Sequence, residues 1–448
     1  MIRRQEHFNL AGRNTFRMDV GCACWVEYDS LEDLAGLDLA ALPQPVLHVG
    51  AGSNLLFTGD FPGTLLHSAV KYYKTVADAE EEVLVEVGAG VVFDDFCAWA
   101  SDNELWGAEN LSGIPGEVGA AAVQNIGAYG AEVKDIIAQV KCFDLQERGI
   151  VTFAPAQCGY GYRDSAFKHA PLKGRQVVLG VLFRLSKAPR PRLDYGPLKT
   201  AFADRAPAHP SEIRQLILGI RDAKLPDPTV LGSAGSFFKN PVVSQETYEH
   251  VVAIASGPVS RCGSESRTEP CRGMLSEPQR QPGLEGTAES GAGIEEPDGD
   301  PSGKAPLKPS PAPQLSTPAA AFDGAGAPCG CESIPRQGSV QLSQPQGAPV
   351  PEAQRPPVPH YEVGPDQIKI PAAWLIDQCG LKGLQLGEAA VYDKQPLVIV
   401  NATGTARPED ILALEQTVID RVRQKFGIEL HPEVEHISAA LAAQQPKI

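Results

Sequence analysis

The amino-acid sequence predicts an α+β fold made of two or three domains. The chain has 448 residues, which is enough for more than one hydrophobic core. In its first half, short apolar runs end in glycine-rich turns, a pattern typical of strands. In its last third, segments with helical periodicity alternate with a short apolar run, and no internal repeat is present. This mixture of separate strand-rich and helix-rich regions is typical of an α+β enzyme.

Strands dominate the prediction for the first half. Residues 45–49 and 83–87 are apolar runs closed by glycines, so each predicts a short buried strand. Residues 93–105 have helical spacing. Three further strands are predicted downstream, at residues 135–145, 150–153 and 176–185.

Two helices and a strand are predicted in the last third. Behind Pro210, apolar residues at i, i+3, i+4 and i+7 predict a helix that contains Ile213 and Ile217. The same stripe between Pro408 and Gly427 predicts a second helix. Residues 397–400 are an apolar run that predicts a strand between helices.

Composition excludes several classes of function. The formal net charge of -16 argues against nucleic acid or an anionic membrane as a general partner. The N-terminus has no apolar core of a secretory signal, and no apolar run is long enough to cross a membrane. Cys22 with Cys24, and Cys329 with Cys331, form Cys-x-Cys pairs without a matching second pair, so no metal site is predicted. Ten cysteines in a chain of this length indicate free thiols and a cytoplasmic location.

Residues 257–357 differ from the rest of the chain. This stretch consists mainly of Pro, Gly, Ser, Gln, Ala and Glu. Its few apolar residues follow neither the helical period nor the strand period. Such a segment buries too little apolar surface to offset the entropy of ordering it. We therefore predict a disordered insertion, because the sequence after it completes patterns that begin before it.

Two glycine-rich segments are candidates for ligand binding. The turn at residues 50–54, Gly-Ala-Gly-Ser-Asn, offers consecutive N–H groups to an anion such as a pyrophosphate, although it fits neither the Rossmann nor the P-loop pattern. A structural turn between strands is the alternative. Residues 112–130 interleave five glycines with alanines and a Gln-Asn pair, which suits backbone packed against a large flat ligand.

Three polar residues are candidates for chemistry. Arg163, among aromatic and small residues, could bind a carboxylate through two hydrogen bonds, or it could pair with Asp164 on the surface. Ser236 lacks the Gly-x-Ser-x-Gly surroundings of a hydrolase nucleophile, so a hydroxyl donor in a partly desolvated pocket fits better. Glu433 follows Pro432 after the last helix, and alone it would more often be a solvated carboxylate.

Taken in order, these segments resemble the UDP-N-acetylenolpyruvoylglucosamine reductase (MurB) family. The resemblance rests jointly on the strings IPG, QNIGAYG, GYRDS, KLPDP, GSFFKNP, WLIDQ and PEV, and it spans nearly the whole chain outside the insertion. It implies a two-subdomain FAD-binding fold of the vanillyl-alcohol-oxidase/PCMH type and an α+β substrate-binding domain. The implied boundaries are residues 1–70 and 71–202 for the two FAD-binding subdomains and residues 203–448 for the substrate-binding domain.

The resemblance also implies functional residues. The residues expected to line non-covalently bound FAD are Gly50, Gly52, Ser53, Asn54, Gly116, Gly119, Gln124, Asn125, Gly127 and Ala128. The expected catalytic residues are Arg163, Ser236 and Glu433. The residues expected to hold the substrate are Tyr195, Lys224, Asn240 and Gln378. Glu435 departs from the family, in which many members carry a basic or apolar residue at this place.

The implied activity is the NADPH-dependent reduction of UDP-N-acetylglucosamine enolpyruvate through FAD, a step in making the peptidoglycan precursor. The expected partner is therefore a small nucleotide sugar, with no nucleic acid and no membrane; the oligomeric state stays open, with a monomer slightly favoured. Two alternatives remain. Another FAD-dependent sugar or alcohol oxidase of the same fold group would share the glycine-rich segments, and a non-catalytic flavin-binding relative would share the fold.

Overall fold

A computed structural model describes residues 1–256 and 358–438 of the chain. The segment that we predict to be disordered, residues 257–357, lies outside this described part. The α-helices of the described residues are α1 (Leu31–Gly36), α2 (Phe93–Asp102), α3 (Val118–Gln124), α4 (Gly196–Ala201), α5 (Pro210–Lys224), α6 (Gln245–Ser256), α7 (Ala372–Gln378) and α8 (Pro408–Phe426). None of them is long and apolar enough to cross a membrane.

The strands of the described residues are β1 (Ile2–Asn9), β2 (Gly21–Tyr28), β3 (Val46–Val49), β4 (Leu55–Phe57), β5 (Phe61–Ser68), β6 (Tyr73–Asp78), β7 (Glu82–Gly88), β8 (Gly127–Ala128), β9 (Ala131–Glu132), β10 (Ile137–Asp144), β11 (Gly149–Phe153), β12 (Gln176–Ser186), β13 (Gly232–Ser236), β14 (Val242–Ser244), β15 (Tyr361–Gly364), β16 (Gln367–Lys369), β17 (Gln385–Leu386), β18 (Ala389–Val391), β19 (Val398–Asn401) and β20 (Glu435–Ile437). The predicted strands at 45–49, 83–87, 150–153, 176–185 and 397–400 are confirmed to within one residue at each end. The predicted strand at 135–145 begins two residues later, because residues 133–135 form a single 3-10 turn.

The first sheet has four strands in the order β1-β2-β5-β3. Strand β3 and strand β2 each pair in parallel with β5, and β1 is an antiparallel edge. Strand β1 was not predicted, because its sequence IRRQEHFN is polar and nearly all exposed, so it has no apolar alternation. Cys22 and Cys24 lie buried in β2 as free thiols.

The second sheet is antiparallel, with five strands in the order β11-β10-β12-β7-β6. Helix α2 packs on it, and the ring of Phe96 stacks on that of Phe183 in β12 with the centroids 4.3 Å apart. Helix α3 packs beside α2 in the same core. Helix α3 was not predicted, because its residues VGAAAVQ lack an apolar stripe and resemble the glycine-rich loops around them.

The third region contains the sheet β13-β19-β18-β17, the small sheet β14-β16-β15 and helices α6 to α8. Helix α8 begins at Pro408 and ends before Gly427, as predicted, and Gly427 adopts φ 70°, the left-handed conformation in which glycine often ends a helix. Its buried stripe of Ile411, Leu414, Val418, Val422 and Phe426 joins the largest core.

Several contacts attach this third region to the N-terminal sheet region. Strand β20 pairs in parallel with β4, which directly follows the glycine-rich turn at residues 50–54. The Asn401 side chain donates a hydrogen bond to Phe16 O at 3.1 Å, and Ser233 N donates to Thr15 O at 2.9 Å. These contacts bring residues more than 200 positions apart to one site.

Candidate active site

A cavity of about 370 Å³ lies where the glycine-rich turns, the loop that contains Arg163 and the C-terminal strand meet. Most of the residues that the sequence predicted for the cofactor and for catalysis line it. These residues are Gly50, Gly52, Ser53, Asn54, Gly116, Gly119, Gln124, Gly127, Ala128, Arg163, Ser236 and Glu433. The cavity thus combines residues from five separate parts of the chain: 50–54, 116–128, 163, 236 and 433.

The turn at residues 50–54 is held by contacts on both sides. Gly52 has φ 69°, and a Cβ there would lie 2.3 Å from Arg13 O, so only glycine fits. The Asn54 side chain donates to Glu433 O at 3.1 Å, while Glu435 N donates to Asn54 O at 2.9 Å. The turn is therefore linked directly to the segment that carries Glu433.

The second glycine-rich segment forms the opposite wall. A Cβ on Gly119 would lie 2.9 Å from Ala89 Cβ, so this glycine is needed for the packing of α3 as well as for the cavity. Asn125 does not line the cavity and is fully buried at the end of α3. Its side chain donates to Gly161 O at 2.7 Å and accepts from Lys134 N at 3.2 Å, so it serves the fold of this segment.

Arg163 is held in an uncommon conformation at the cavity. Its φ is 54°, in the left-handed region that non-glycine residues rarely adopt. Its guanidinium donates to Gly127 O, and its Nε lies 2.7 Å from Glu433 Oε1. The alternative of a pair with Asp164 does not occur, since Asp164 contacts His169 at 2.8 Å instead.

Glu433 lies at the same wall with a perturbed pKa. Burial raises the pKa of this carboxyl above its usual range, although Arg163, Lys168 and Lys239 oppose the shift by favouring the ionised form. Its backbone is fixed, because Glu433 N donates to Phe237 O at 2.8 Å. The Glu433 carboxyl can therefore hold a proton at a pH where an exposed glutamate would not.

Ser236 ends strand β13 at the edge of the cavity. It follows Gly235, whose φ of 71° turns the chain, and it precedes Phe237 and Phe238, which are 0% and 1% exposed. The two buried rings anchor the strand end, and Ser236 itself stays accessible to the cavity. A hydroxyl at this place can donate or accept a proton.

The cavity is also lined by basic residues for which no role was predicted from the sequence. Lys168 Nζ donates to Gln124 Oε1 at 2.8 Å, and burial lowers the pKa of its ammonium. Lys173 Nζ lies 2.6 Å from Glu435 Oε1, which supplies a counter-ion for this departure from the family pattern. Arg221 also lines the cavity. These positions follow from loop and helix packing and carry no local sequence signal.

The four residues predicted for the substrate lie outside this cavity. Tyr195 is 38% exposed and packs edge-on against Tyr129, with ring centroids 5.5 Å apart. Lys224 is exposed at the end of α5. Asn240 accepts a hydrogen bond from Ala372 N at 2.9 Å at the start of α7, and Gln378 is the exposed last residue of that helix.

The lining fits a dinucleotide better than a metal or a small anion alone. A volume of about 370 Å³ is within the usual range for organic ligands, and glycine backbone and apolar side chains form much of the wall. Main-chain N–H groups of the turn suit a diphosphate. No cluster of three or more His, Cys, Asp and Glu side chains that could hold a metal occurs in the described ranges.

Comparison with known proteins first defines the class. Residues 26–152 match the model of the FAD binding domain family, and residues 333–437 match the C-terminal domain of UDP-N-acetylenolpyruvoylglucosamine reductase. Together with the mixed sheets and helices, these matches define a two-subdomain FAD-binding fold of the vanillyl-alcohol-oxidase/PCMH type with an α+β substrate-binding domain.

Whole-chain relatives then define the family. The UDP-N-acetylenolpyruvoylglucosamine reductase of Bacteroides fragilis (strain YCH46) is 37% identical, with 97% of this chain and 100% of the relative covered. That of Chromobacterium violaceum is 34% identical, with 95% and 96% covered. The crystal structure of the Thermus caldophilus enzyme (MurB) matches with a TM-score of 0.53 at 19% identity, covering 98% of this chain and 99% of the other, and it supports the fold. The chain belongs to the UDP-N-acetylenolpyruvoylglucosamine reductase (MurB) family.

Proposed function

We propose that this protein reduces UDP-N-acetylglucosamine enolpyruvate to UDP-N-acetylmuramate with NADPH, using non-covalently bound FAD, in the synthesis of the peptidoglycan precursor. The observation that carries the proposal is the convergence of Arg163, Ser236 and Glu433 on one cavity lined by two glycine-rich segments. The relatives that cover the whole chain bear the name of this reductase, which supports the same substrate.

The residues of the cavity divide into cofactor-binding and reactive groups. Gly50, Gly52, Ser53 and Asn54 would present the turn to the diphosphate of FAD, and the segment from Gly116 to Ala128 would pack against the cofactor. The chemistry that FAD supplies when bound is hydride transfer, from NADPH in one half-reaction and to the enolpyruvyl double bond in the other.

Arg163 and Glu433 would stabilise negative charge on the substrate. Hydride addition to the terminal carbon leaves charge on the adjoining carbon and its carboxylate, and donors aimed at such developing charge are usually the largest catalytic contribution. Arg163 Nε is paired with Glu433 Oε1 at 2.7 Å, so an entering substrate carboxylate competes with Glu433 for the guanidinium. The raised pKa of Glu433 favours the protonated form in that situation, in which it can donate a hydrogen bond.

Ser236 would deliver the proton that completes the reduction. It is an accessible hydroxyl on a strand end fixed by two buried phenylalanine rings. A positioned general acid contributes roughly 10²–10⁴-fold to a rate. Lys224, Asn240 and Gln378 would hold the nucleotide end of the substrate beyond the cavity, and Tyr195 would belong to a loop that closes over the substrate.

We also propose the domain boundaries and the location implied by the family. The three main sheets draw their strands from residues 2–68, 73–186 and 232–401, which supports boundaries near residues 70 and 202. The cysteines of the described residues are all free, which supports a reducing compartment such as the cytoplasm.

The decisive experiment combines an absorption spectrum with turnover. The purified protein is expected to show flavin absorption that denaturation releases. NADPH should reduce the bound flavin once without substrate, and continuous NADPH oxidation should require UDP-N-acetylglucosamine enolpyruvate. Rapid reoxidation of the reduced protein by air with a sugar or alcohol as substrate would identify an oxidase instead. Bound flavin without any turnover would identify a non-catalytic flavin-binding protein.

A further inference from the structure

A row of buried ionisable side chains leads from the protein surface to the wall of the cavity. Glu27, His67 and Glu117 are 7%, 5% and 8% exposed. His67 Nδ1 lies 3.0 Å from Glu27 Oε2, and His67 Nε2 lies 2.9 Å from Glu117 Oε1. Of these three residues, which we call the buried triad, Glu117 lines the cavity. The proposed reaction uses none of them.

The outer end of the buried triad is fixed by two arginines. Arg13 Nη2 lies 3.3 Å from Glu27 Oε2, and Arg3 contacts the other oxygen of the same carboxylate. The ring of Trp25 stacks on His67, with centroids 5.3 Å apart, and the Arg13 guanidinium lies 4.9 Å from the Trp25 ring centroid. His67 is therefore held between two carboxylates and against one aromatic face.

Charge compensation explains how the Glu117 carboxylate can be buried at the cavity wall. Buried carboxylates are costly unless they are paired and hydrogen-bonded. His67 gives each of the two carboxylates a hydrogen-bond partner, and Arg3 and Arg13 add positive charge at Glu27. This compensation lets Glu117 lie near a diphosphate-binding turn without an isolated negative charge.

Glu117 has an acceptor atom left for a ligand. His67 occupies Glu117 Oε1, whereas Oε2 lies 3.3 Å from the position that a Cβ on Gly50 would take. A Cβ at that position would also lie 3.1 Å from Ala120 Cβ. The absence of a side chain at Gly50 therefore leaves space in front of the free oxygen, on the cavity side.

The position of Glu117 indicates which half of the cofactor it meets. The turn at residues 50–54 contacts Glu433 at its Asn54 end and approaches Glu117 at its Gly50 end. The flavin ring has to reach Arg163, Ser236 and Glu433, which lie towards the Asn54 end of the turn. The adenosine half of the cofactor would therefore lie at the Gly50 end. Carboxylates commonly bind ribose hydroxyls in dinucleotide sites, where they accept the hydroxyl proton.

We propose that Glu117 accepts a hydrogen bond from a ribose hydroxyl in the adenosine half of FAD, with His67 and Glu27 as positioning residues. This rests on the use of FAD proposed above and adds a determinant of cofactor choice. The buried triad would make the protein prefer FAD to FMN, because FMN lacks the adenosine ribose.

The test is a comparison of binding affinities for FAD and FMN, measured by quenching of flavin fluorescence on titration with apoprotein. Glu117→Ala removes the acceptor and is expected to weaken FAD binding about tenfold or more, the size of a lost hydrogen bond to a charged group, and to change FMN binding less than about twofold. Glu117→Gln keeps a neutral carbonyl acceptor, so it is expected to weaken FAD binding in the same direction but less than Glu117→Ala does. His67→Gln, which cannot bridge two carboxylates, is expected to act in the same direction and serves as the second variant if Glu117 variants fail to fold.

Glu415→Gln is the matched control. Glu415 is also a buried carboxylate beside a histidine, 7% exposed with Oε2 3.1 Å from His436 Nε2, but it does not line the cavity. Its replacement should leave the ratio of FAD to FMN affinities unchanged. Equal loss of both flavins in the Glu117 variants would indicate a ribityl contact or a general structural role, and unchanged FAD affinity would indicate no contact; either result overturns the inference. A wild-type protein that binds no flavin would overturn the proposed function as well.

Discussion

Arg163 Nε lies 2.7 Å from Glu433 Oε1, although the two residues are 270 positions apart in the chain. Neither residue is freely solvated, since their side chains are 19% and 15% exposed. The pair places a fixed positive charge beside a carboxyl whose pKa is raised by burial. Such a pair can accept an anionic substrate group, because Glu433 can take up a proton when Arg163 changes partner.

The first prediction concerns Ser236. Ser236→Ala should bind flavin and accept reducing equivalents from NADPH as the wild type does, because the hydroxyl is needed only when the substrate is protonated. Reduction of the enolpyruvyl substrate should slow by roughly 10²–10⁴-fold. Stopped-flow absorbance at the flavin band separates the two half-reactions. An equal loss in both would make Ser236 a folding or cofactor residue.

The second prediction concerns Arg163. Arg163→Lys keeps the charge but loses the planar fork that binds a carboxylate through two hydrogen bonds. A lost charge-assisted contact in the transition state costs about 1.5–3 kcal/mol, so turnover should fall by more than tenfold. Steady-state kinetics with saturating NADPH measures it. Turnover equal to that of the wild type would mean that Arg163 acts only through its positive charge and not through two directed hydrogen bonds.

The third prediction is a pH dependence from Glu433. Its pKa in the folded protein is raised above the usual value of 4.5, so above pH 4.5 the folded state holds a proton that the unfolded state loses. The free energy of unfolding contributed by this group therefore falls as pH rises from 4.5 through the raised pKa. The kcat/KM for the enolpyruvyl substrate, which reports the free protein, should decline through the same pKa if the protonated form is required.

Glu433→Gln provides the check on that prediction, because glutamine retains an N–H donor and does not ionise. This variant should lose both the decline of the substrate half-reaction with pH and the Glu433 part of the pH dependence of denaturant unfolding. Retention of the full pH dependence in Glu433→Gln would assign it to another group.

The fourth prediction concerns the ion pair between Lys173 and Glu435, whose atoms Nζ and Oε1 are 2.6 Å apart. Lys173→Glu places two carboxylates together at the cavity wall and should lower the free energy of unfolding and slow turnover. The charge-swapped double variant with Glu435→Lys should restore both. The pair is partly exposed, so the double variant is expected to regain about 0.2–1 kcal/mol of the free energy of unfolding, measured by denaturant unfolding. Failure of the swap to restore either property would show that the pair does not act through its charge.

Local apolar patterns predicted a minority of the described strands and helices, and contacts between distant residues account for elements that were missed. The stripe of α8 and the apolar runs of β3, β7 and β12 have clear periods, so they follow from sequence alone. Strand β1 is polar because it forms an exposed edge, and α3 is rich in alanine and glycine because it packs closely against its neighbours. Neither has a periodic apolar pattern.

Local sequence singled out the glycine-rich segments and three polar residues, but only the resemblance to a family predicted that they form one site. Glu433 reaches the turn at residues 50–54 because β20 pairs with β4, and no spacing rule connects positions so far apart. The buried triad also forms through contacts between distant segments, because Glu27 lies on β2, His67 on β5 and Glu117 before α3. Each of them alone would be taken for a surface residue.

The last prediction concerns residues 257–357, which lie outside the described part of the chain and whose composition predicts disorder. Closing a loop of about a hundred residues instead of about five costs only about 2–3 kcal/mol, so the enzyme can fold around such an insertion. Its removal should therefore leave flavin content and turnover near those of the wild type and raise stability slightly. The structure indicates where the deletion should end on its C-terminal side. Val358 is 5% exposed within the main core, and its carbonyl accepts a hydrogen bond from the Tyr248 hydroxyl at 3.3 Å.

A deletion of residues 260–357 therefore keeps Val358, and the same deletion with Val358→Ala is its matched control. The control loses most of one buried valine side chain and should be less stable than the first deletion by about 1.5–3 kcal/mol in denaturant unfolding. Both proteins join Val259 to residue 358, so they have the same length and differ by a single side chain. Loss of flavin or of turnover in the deletion that keeps Val358 would mean that the removed segment packs on the enzyme. In that case the prediction of disorder from composition would be wrong.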